Sequence, residues 1–185
     1  MREIILDLCG GTGAWSRPYA EAGYDVRVID IKTGQDVRKL KHLGEPVHGI
    51  LAAPPCTHLS GSGARWWAEK GETALLDALS VVDACLRVVM FHKPEWWALE
   101  NPVGRISRYL GKPKLVFQPY EYGDPWVKKT CVWGEFNIPP KRPVPPDADP
   151  KVREHIWRMP PSSDRPEKRS ITPPGFARAF FEANR

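Results

Sequence analysis

At 185 residues the chain is long enough to bury a substantial core and too short for two full domains, so one domain over residues 1–185 is expected. Its 27 Lys and Arg against 22 Asp and Glu give a net charge of +5, a balance that suits a polyanionic partner as readily as plain solubility. No apolar run reaches membrane-spanning length, and Cys9, Cys56, Cys85 and Cys131 lack the paired spacing of a zinc site, so free thiols in a reducing, cytoplasmic setting are expected, with no leader read at the amino end.

Residues 3–8 form a short apolar strand running into Cys9-Gly10-Gly11-Thr12-Gly13-Ala14-Trp15, followed by a helix ending near Gly23. Glycines let a ligand approach the backbone, and a helix start offers unpaired N–H groups. A Walker loop would need Gly-Lys-Ser or Gly-Lys-Thr, which is absent, and the dinucleotide fingerprint fits no better. The next strand, over residues 25–31, carries Asp30 at its end, where a carboxylate can accept both hydroxyls of a ribose, and Asp36 follows in a turn. Acidic contacts of this kind suit an adenosine ligand without phosphates, such as S-adenosylmethionine. Two ordinary turn carboxylates are the competing account.

A strand over residues 48–52 leads into Ala53-Pro54-Pro55-Cys56, and another over 96–99 leads into Glu100-Asn101-Pro102. Ligands of open α/β sheets gather at such strand ends. A thiol can add to an electron-poor carbon while a carboxylic acid nearby receives the charge, which is the chemistry of activating a pyrimidine. Free cysteines usually pack as small hydrophobes, but two prolines ahead of Cys56 stiffen an exposed loop and remove two backbone donors. Between the two motifs, a helix over residues 72–92 carries Leu75, Leu76, Leu79, Val82, Leu86 and Val89 as a core stripe. Trp66 and Trp67 precede it, placed either to stack on nucleic acid or to pack against the helix. Strands over 114–118 and 129–136 complete a doubly wound, mostly parallel α/β sheet.

Together these motifs resemble the DNA (cytosine-5) methyltransferases, particularly small phage-type members without a full target-recognition domain, over most of the chain. The resemblance implies a Rossmann-like methyltransferase fold using S-adenosyl-L-methionine. It implies cofactor contacts at Asp7, Leu8, Cys9, Gly10, Gly11, Thr12, Gly13, Trp15, Asp30, Ile31, Asp36 and Pro54. It also implies that Cys56 attacks carbon 6 of cytosine while Glu100 holds the ring edge, with Lys128 beside them. Ser60-Gly61-Ser62-Gly63 with Arg65 resembles the family's mobile loop, so Ser60, Arg65, Lys128 and Lys129 are the expected DNA contacts. Thr172-Pro173-Pro174-Gly175 resembles the closing motif, opening a helix over 173–183. The setting implied is a bacterial or phage-infected cell, and the form a monomer.

Two departures stand out. Trp126, Lys128 and Thr130 occupy places where the family has a glutamine and two arginines, so a planar fork is replaced by a point charge. A solvated Lys-Lys pair is the plainer reading of 128–129. Only a connector at about 137–170 stands where family members carry a recognition domain. Eleven of the 20 prolines fall between Pro139 and Pro174, a composition that gives an extended segment with a helical turn or two near 152–158. Its Lys and Arg could follow a nucleic-acid backbone or simply meet solvent. Sequence discrimination is then expected to be weak or supplied by a partner protein, and RNA, a free cytosine nucleotide, or binding without turnover are the alternatives. Zinc deaminases need a further cysteine where Leu59 stands, and amino-methyltransferases an aromatic residue where Cys56 stands.

Overall fold

Alternation of side chains along a strand sends residues to opposite faces, and here both faces are covered. The computed structural model describes residues 2–185. In chain order its elements are β1 (Ile4–Leu8), α1 (Arg17–Glu21), β2 (Asp25–Ile29), β3 (Val47–Ala52), α2 (Trp67–His92), β4 (Trp96–Pro102), α3 (Ser107–Leu110), β5 (Leu115–Phe117), β6 (Thr130–Glu135), α4 (Pro150–Arg153), α5 (His155–Arg158), α6 (Arg165–Ser170) and α7 (Pro174–Ala183). The strands form one sheet in the order β2-β1-β3-β4-β6-β5. β1 to β4 run parallel, and β6 is antiparallel to both of its neighbours. This is a mixed α/β, doubly wound arrangement.

On one face Ile4, Leu6 and Leu8 of β1 join Ala78, Val82, Cys85 and Val88 of α2 in one buried cluster. Leu76, expected in the helix stripe, is instead 65% exposed, because the buried face is centred on the smaller residues of α2. The helix also starts earlier than expected, with a break at Gly71. On the other face Ile5 and Trp96 meet an aromatic layer from α1 and α7: Tyr19 stacks on Trp96, and Phe180 meets both Trp15 and Trp96 edge-on. Burying several large aromatic rings dominates the energetics of this face.

Three expected boundaries change. The strand expected over 25–31 stops at Ile29, because Asp30 accepts the Lys32 N–H and caps a tight turn. The strand expected to end at Leu99 continues to Pro102, since Glu100, Asn101 and Pro102 pair with Val132, Cys131 and Thr130. Glu100 therefore projects from within a strand and not from a loop beyond it. The proline-rich connector has a third helix, α6, besides the turns expected near 152–158. Its extended part is tied down by Arg142 N–H to Glu121 O (3.0 Å), Val144 N–H to Tyr120 O (2.8 Å) and Asp147 N–H to Pro125 O (2.8 Å). No helix among the described residues is long and apolar enough to cross a membrane.

Gly134 in β6 has a φ of 138°, and a Cβ there would collide with the Trp97 carbonyl oxygen of β4. Gly134→Ala is expected to lower unfolding free energy by about 3 kcal/mol through backbone strain and overpacking. Urea denaturation measures this, and a midpoint equal to the parent's would contradict it.

Candidate active site

The chain leaves β3 through Ala53-Pro54-Pro55-Cys56, a stretch whose two prolines cannot donate to a sheet. The neighbouring strand holds it instead: the buried Asn101 Nδ2 donates to Pro54 O at 2.9 Å. After Cys56 the chain turns sharply, its carbonyl accepting the N–H groups of Leu59 (2.9 Å) and Ser60 (2.8 Å). Cys56 is thus held on both sides, half-buried, with its thiol free.

Cys56, Glu100 and Lys128 line one cavity together with the glycine loop after β1, including Asp7, Cys9, Gly10, Gly11, Thr12 and Trp15, and with Pro54. Glu100 is buried and its Oε2 has no hydrogen-bond partner. Desolvation pushes its carboxyl above the ordinary range, while the Lys128 charge draws it back. Burial also pushes the Cys56 thiol up, with the nearby Glu100 carboxylate adding to the effect and Lys128 opposing it. Lys128 is buried, and its Nζ donates to Ile171 O at 3.0 Å. Thr130 spends its hydroxyl on Lys128 O (2.8 Å), and Trp126 packs edge-on against His155.

The glycine loop is braced from below and from the side. Asp7 is fully buried, accepts the Ser16 hydroxyl at 2.5 Å, and leaves Oδ1 unpartnered. Burial pushes its carboxyl up to about 6. Gly10 packs so closely on Asp7 that a Cβ would overlap the carboxylate, whereas Gly11, at a φ of 53°, faces open space. Gly13 N–H closes the turn onto Gly10 O (2.8 Å). Asp30 accepts the Gly11 N–H (2.9 Å) and the Lys32 N–H (2.9 Å), one on each oxygen. Asp30 and Gly13 stand outside the cavity lining, whereas Trp15 is part of it and its buried Nε1 has no partner.

Other expected contacts lie outside this lining. Leu8 is fully buried in the core beneath the loop. Ile31 is 70% exposed at the carboxyl end of β2, next to Asp30. Asp36 caps a turn and pairs with Arg38 at the surface. Ser60 is buried, its hydroxyl capping the turn over Gly61–Trp66. Arg65 lies over the Trp66 ring at 3.9 Å with both exposed, Trp67 is covered by Arg105 at 4.5 Å, and Lys129 faces solvent. Arg169, Ser170 and Ile171, which motif reading missed, close the cavity from the connector together with Thr172, the first residue of the expected closing motif. Asn101 was also missed as the residue that holds Pro54, although it stands beside Glu100 in the same motif. Among the described residues no three His, Cys, Asp or Glu side chains converge as metal ligands.

No family model and no curated protein matches this chain. Among solved structures it is similar to one described as a candidate DNA modification methyltransferase encoded within a prophage (E. coli), with a TM-score of 0.50 and 20% identity. The match covers 77% of this chain and 53% of that one, so the chain spans about half the length of that structure. The fold is that of the Rossmann-like methyltransferases.

A thiol raised by burial stays protonated at neutral pH. Alkylation of Cys56 by iodoacetamide, resolved by mass spectrometry, is therefore expected to rise with a midpoint above that of a free cysteine, and Glu100→Gln to move that midpoint down. A midpoint unmoved by the substitution would separate the two groups.

Proposed function

We propose that this protein transfers a methyl group from S-adenosylmethionine to carbon 5 of cytosine in DNA, through a transient bond between Cys56 and carbon 6. One observation carries the reading: a free thiol, a buried carboxyl with an unpartnered oxygen and a buried ammonium share one cavity with a glycine loop at the strand ends of a methyltransferase fold.

The residues present fit the cofactor. Asp7 and Trp15 both line the cavity and carry buried polar atoms without partners, Oδ1 and Nε1, the Gly11 backbone is open to a ligand, and residues 9–15 contain no Lys or Arg that a phosphate would need. Asp7, Gly10, Gly11, Thr12 and Trp15 would hold the methionine portion. Asp30, whose two oxygens each keep a second lone pair, would take the ribose, and the exposed Ile31 would lie against the adenine. Asp36, tied to Arg38, would have to exchange that partner for the adenine amine. When bound, the cofactor supplies an electrophilic methyl group.

The chain's own groups do the rest. The Cys56 sulfur, giving up its proton to solvent as it attacks, adds to carbon 6, and the ring's electrons move onto N3 and carbon 5. Glu100, whose hold on a proton burial strengthens, donates to N3 and so holds the charge that would otherwise build up there. Lys128 keeps the buried carboxyl and sulfur from repelling each other. After carbon 5 is methylated, its proton passes to solvent, the electron pair left behind re-forms the ring double bond and expels the Cys56 thiolate, and N3 returns its proton to Glu100. In a duplex the target base must first leave the stack, at a cost of about a few kcal/mol that a single strand avoids.

Transfer of labelled methyl groups to DNA, RNA and dCMP tests the reading. Cys56→Ser is expected to abolish transfer with cofactor binding kept. Glu100→Gln is expected to slow it roughly 100-fold or more, the span of a lost general acid. Near-normal rates in the serine variant would refute the covalent route, and transfer to RNA or dCMP alone would relocate the substrate while keeping the chemistry.

A further inference from the structure

Resting on that reading, we propose that Arg169 is a substrate residue: it binds the phosphate beside the target nucleotide, carried there by a movable strap made of residues 165–171. The cavity around Cys56 measures about 70 Å³, well under the roughly 300–1,000 Å³ of ligand-binding clefts. Seating a nucleotide there calls for a wider opening, so part of the wall must withdraw.

Three walls are anchored from within the fold. The glycine loop is tied to Asp30 and sits on Asp7, the Pro54 loop is held by Asn101, and Glu100 is paired in the middle of the sheet. The fourth wall, from Arg169 to Ile171, is held more lightly. Its ties to the body include the Lys128 Nζ to Ile171 O bond and an ion pair between Lys32 and Glu167, whose side chains are 54% and 45% exposed. Exposed pairs of this kind contribute little. Beyond Thr172 the chain is fixed again, with Thr172 and Pro173 buried and Gly175 N–H donating to Asp124 Oδ2 at 2.8 Å. The hinge therefore lies at Ile171–Thr172. Opening it removes the roof and frees the Lys128 ammonium together.

Arg169 is the other cation of the lining. Its charge acts on Cys56 as Lys128's does. Its guanidinium lies 5.7 Å from the face of Trp157, a ring 46% exposed, and among the described residues it makes no ion pair. An unpaired planar fork at the mouth of a site for a nucleotide is built for bidentate contact with phosphate oxygens. Closing the strap on a bound strand brings that fork onto the backbone while the base lies below.

The test measures binding of a fluorescein-labelled, cytosine-bearing oligonucleotide to the full chain by anisotropy at several salt concentrations. R169A is expected to weaken binding at least about fivefold and to lower the slope of log affinity against log salt by about one. R169Q, which keeps a polar planar group but removes the charge, should give the same loss, and R169K should restore the slope. Affinity for S-adenosylhomocysteine and the melting temperature should be unchanged. Parent-like affinity and slope in R169A and R169Q would overturn the proposal, as would a loss of cofactor binding, which would make Arg169 a structural part of the roof. A parent protein that binds none of DNA, RNA and dCMP would defeat the functional reading itself, whereas a parent that binds beside an unaffected R169Q defeats this inference alone.

Discussion

The antiparallel pairing of β4 with β6 fixes where the charged groups of the site stand. It extends β4 past its apolar stretch, so that Glu100 sits opposite Val132, Asn101 opposite Cys131 and Pro102 opposite Thr130. From that register two consequences follow. Successive strand residues point to opposite faces, so Glu100 enters the cavity while Asn101 turns away from it and grips Pro54. Lys128, two residues before Thr130, is delivered to the end of the sheet where Glu100 and Cys56 already are. A slip of one residue would exchange the roles of Glu100 and Asn101, leaving an amide in the cavity and a carboxylate buried behind the loop.

That placement puts two carboxyl groups in desolvated positions, and they differ in how they are supported. Asp7 has a hydroxyl donor and no cation, and burial lifts its carboxyl to about 6 from an ordinary value near 3.8. Its folded value exceeds its unfolded one, so its contribution to stability is complete below about 3.8 and is lost as pH rises through about 6. Glu100 has a cation and no donor, and its upward shift is opposed by Lys128. On the proposed reading the distinction matters. A carboxyl that must give a proton to a ring needs a raised affinity for it without an established donor to displace, and Glu100 meets both conditions.

Much of this was legible in the chain. Four parallel strands followed from short apolar runs, and the ends of those runs put Cys56, Glu100 and the glycine loop in one region because a parallel sheet aligns them. What escaped notice has physical causes. The extent of β4 depends on a partner strand far along the chain, which local apolarity cannot reveal, so Glu100 read as a loop residue. Asp30 was open to two readings, a ribose contact or a turn carboxylate, and it does serve the backbone of Gly11 and Lys32, since a carboxylate at a strand end caps whatever N–H groups come near. Arg169 was seen as one of many basic residues in a proline-rich stretch. Such a stretch has no hydrophobic period, so nothing in it marks which charge turns inward.

The connector also bears on how a substrate would be told apart from others. Base identity in a duplex is read by side chains inserted in a groove, whereas phosphate contacts position a strand without reading it. On the proposed reading Arg169, in the cavity lining, is of the second kind, and the exposed rings of Trp157, which Arg169 overlies, and of Trp66, which Arg65 overlies elsewhere on the surface, present flat faces rather than patterned donors. Flat faces stack on any base. On the proposed reading, then, the specificity of this chain lies in the cavity, where an acid at N3 and a thiol at carbon 6 select a pyrimidine ring. The strand on either side is held by charge and stacking alone. Selection by the cavity operates only on a base already unstacked, so single strands and weakly paired sites become the preferred substrates by energy and not by sequence.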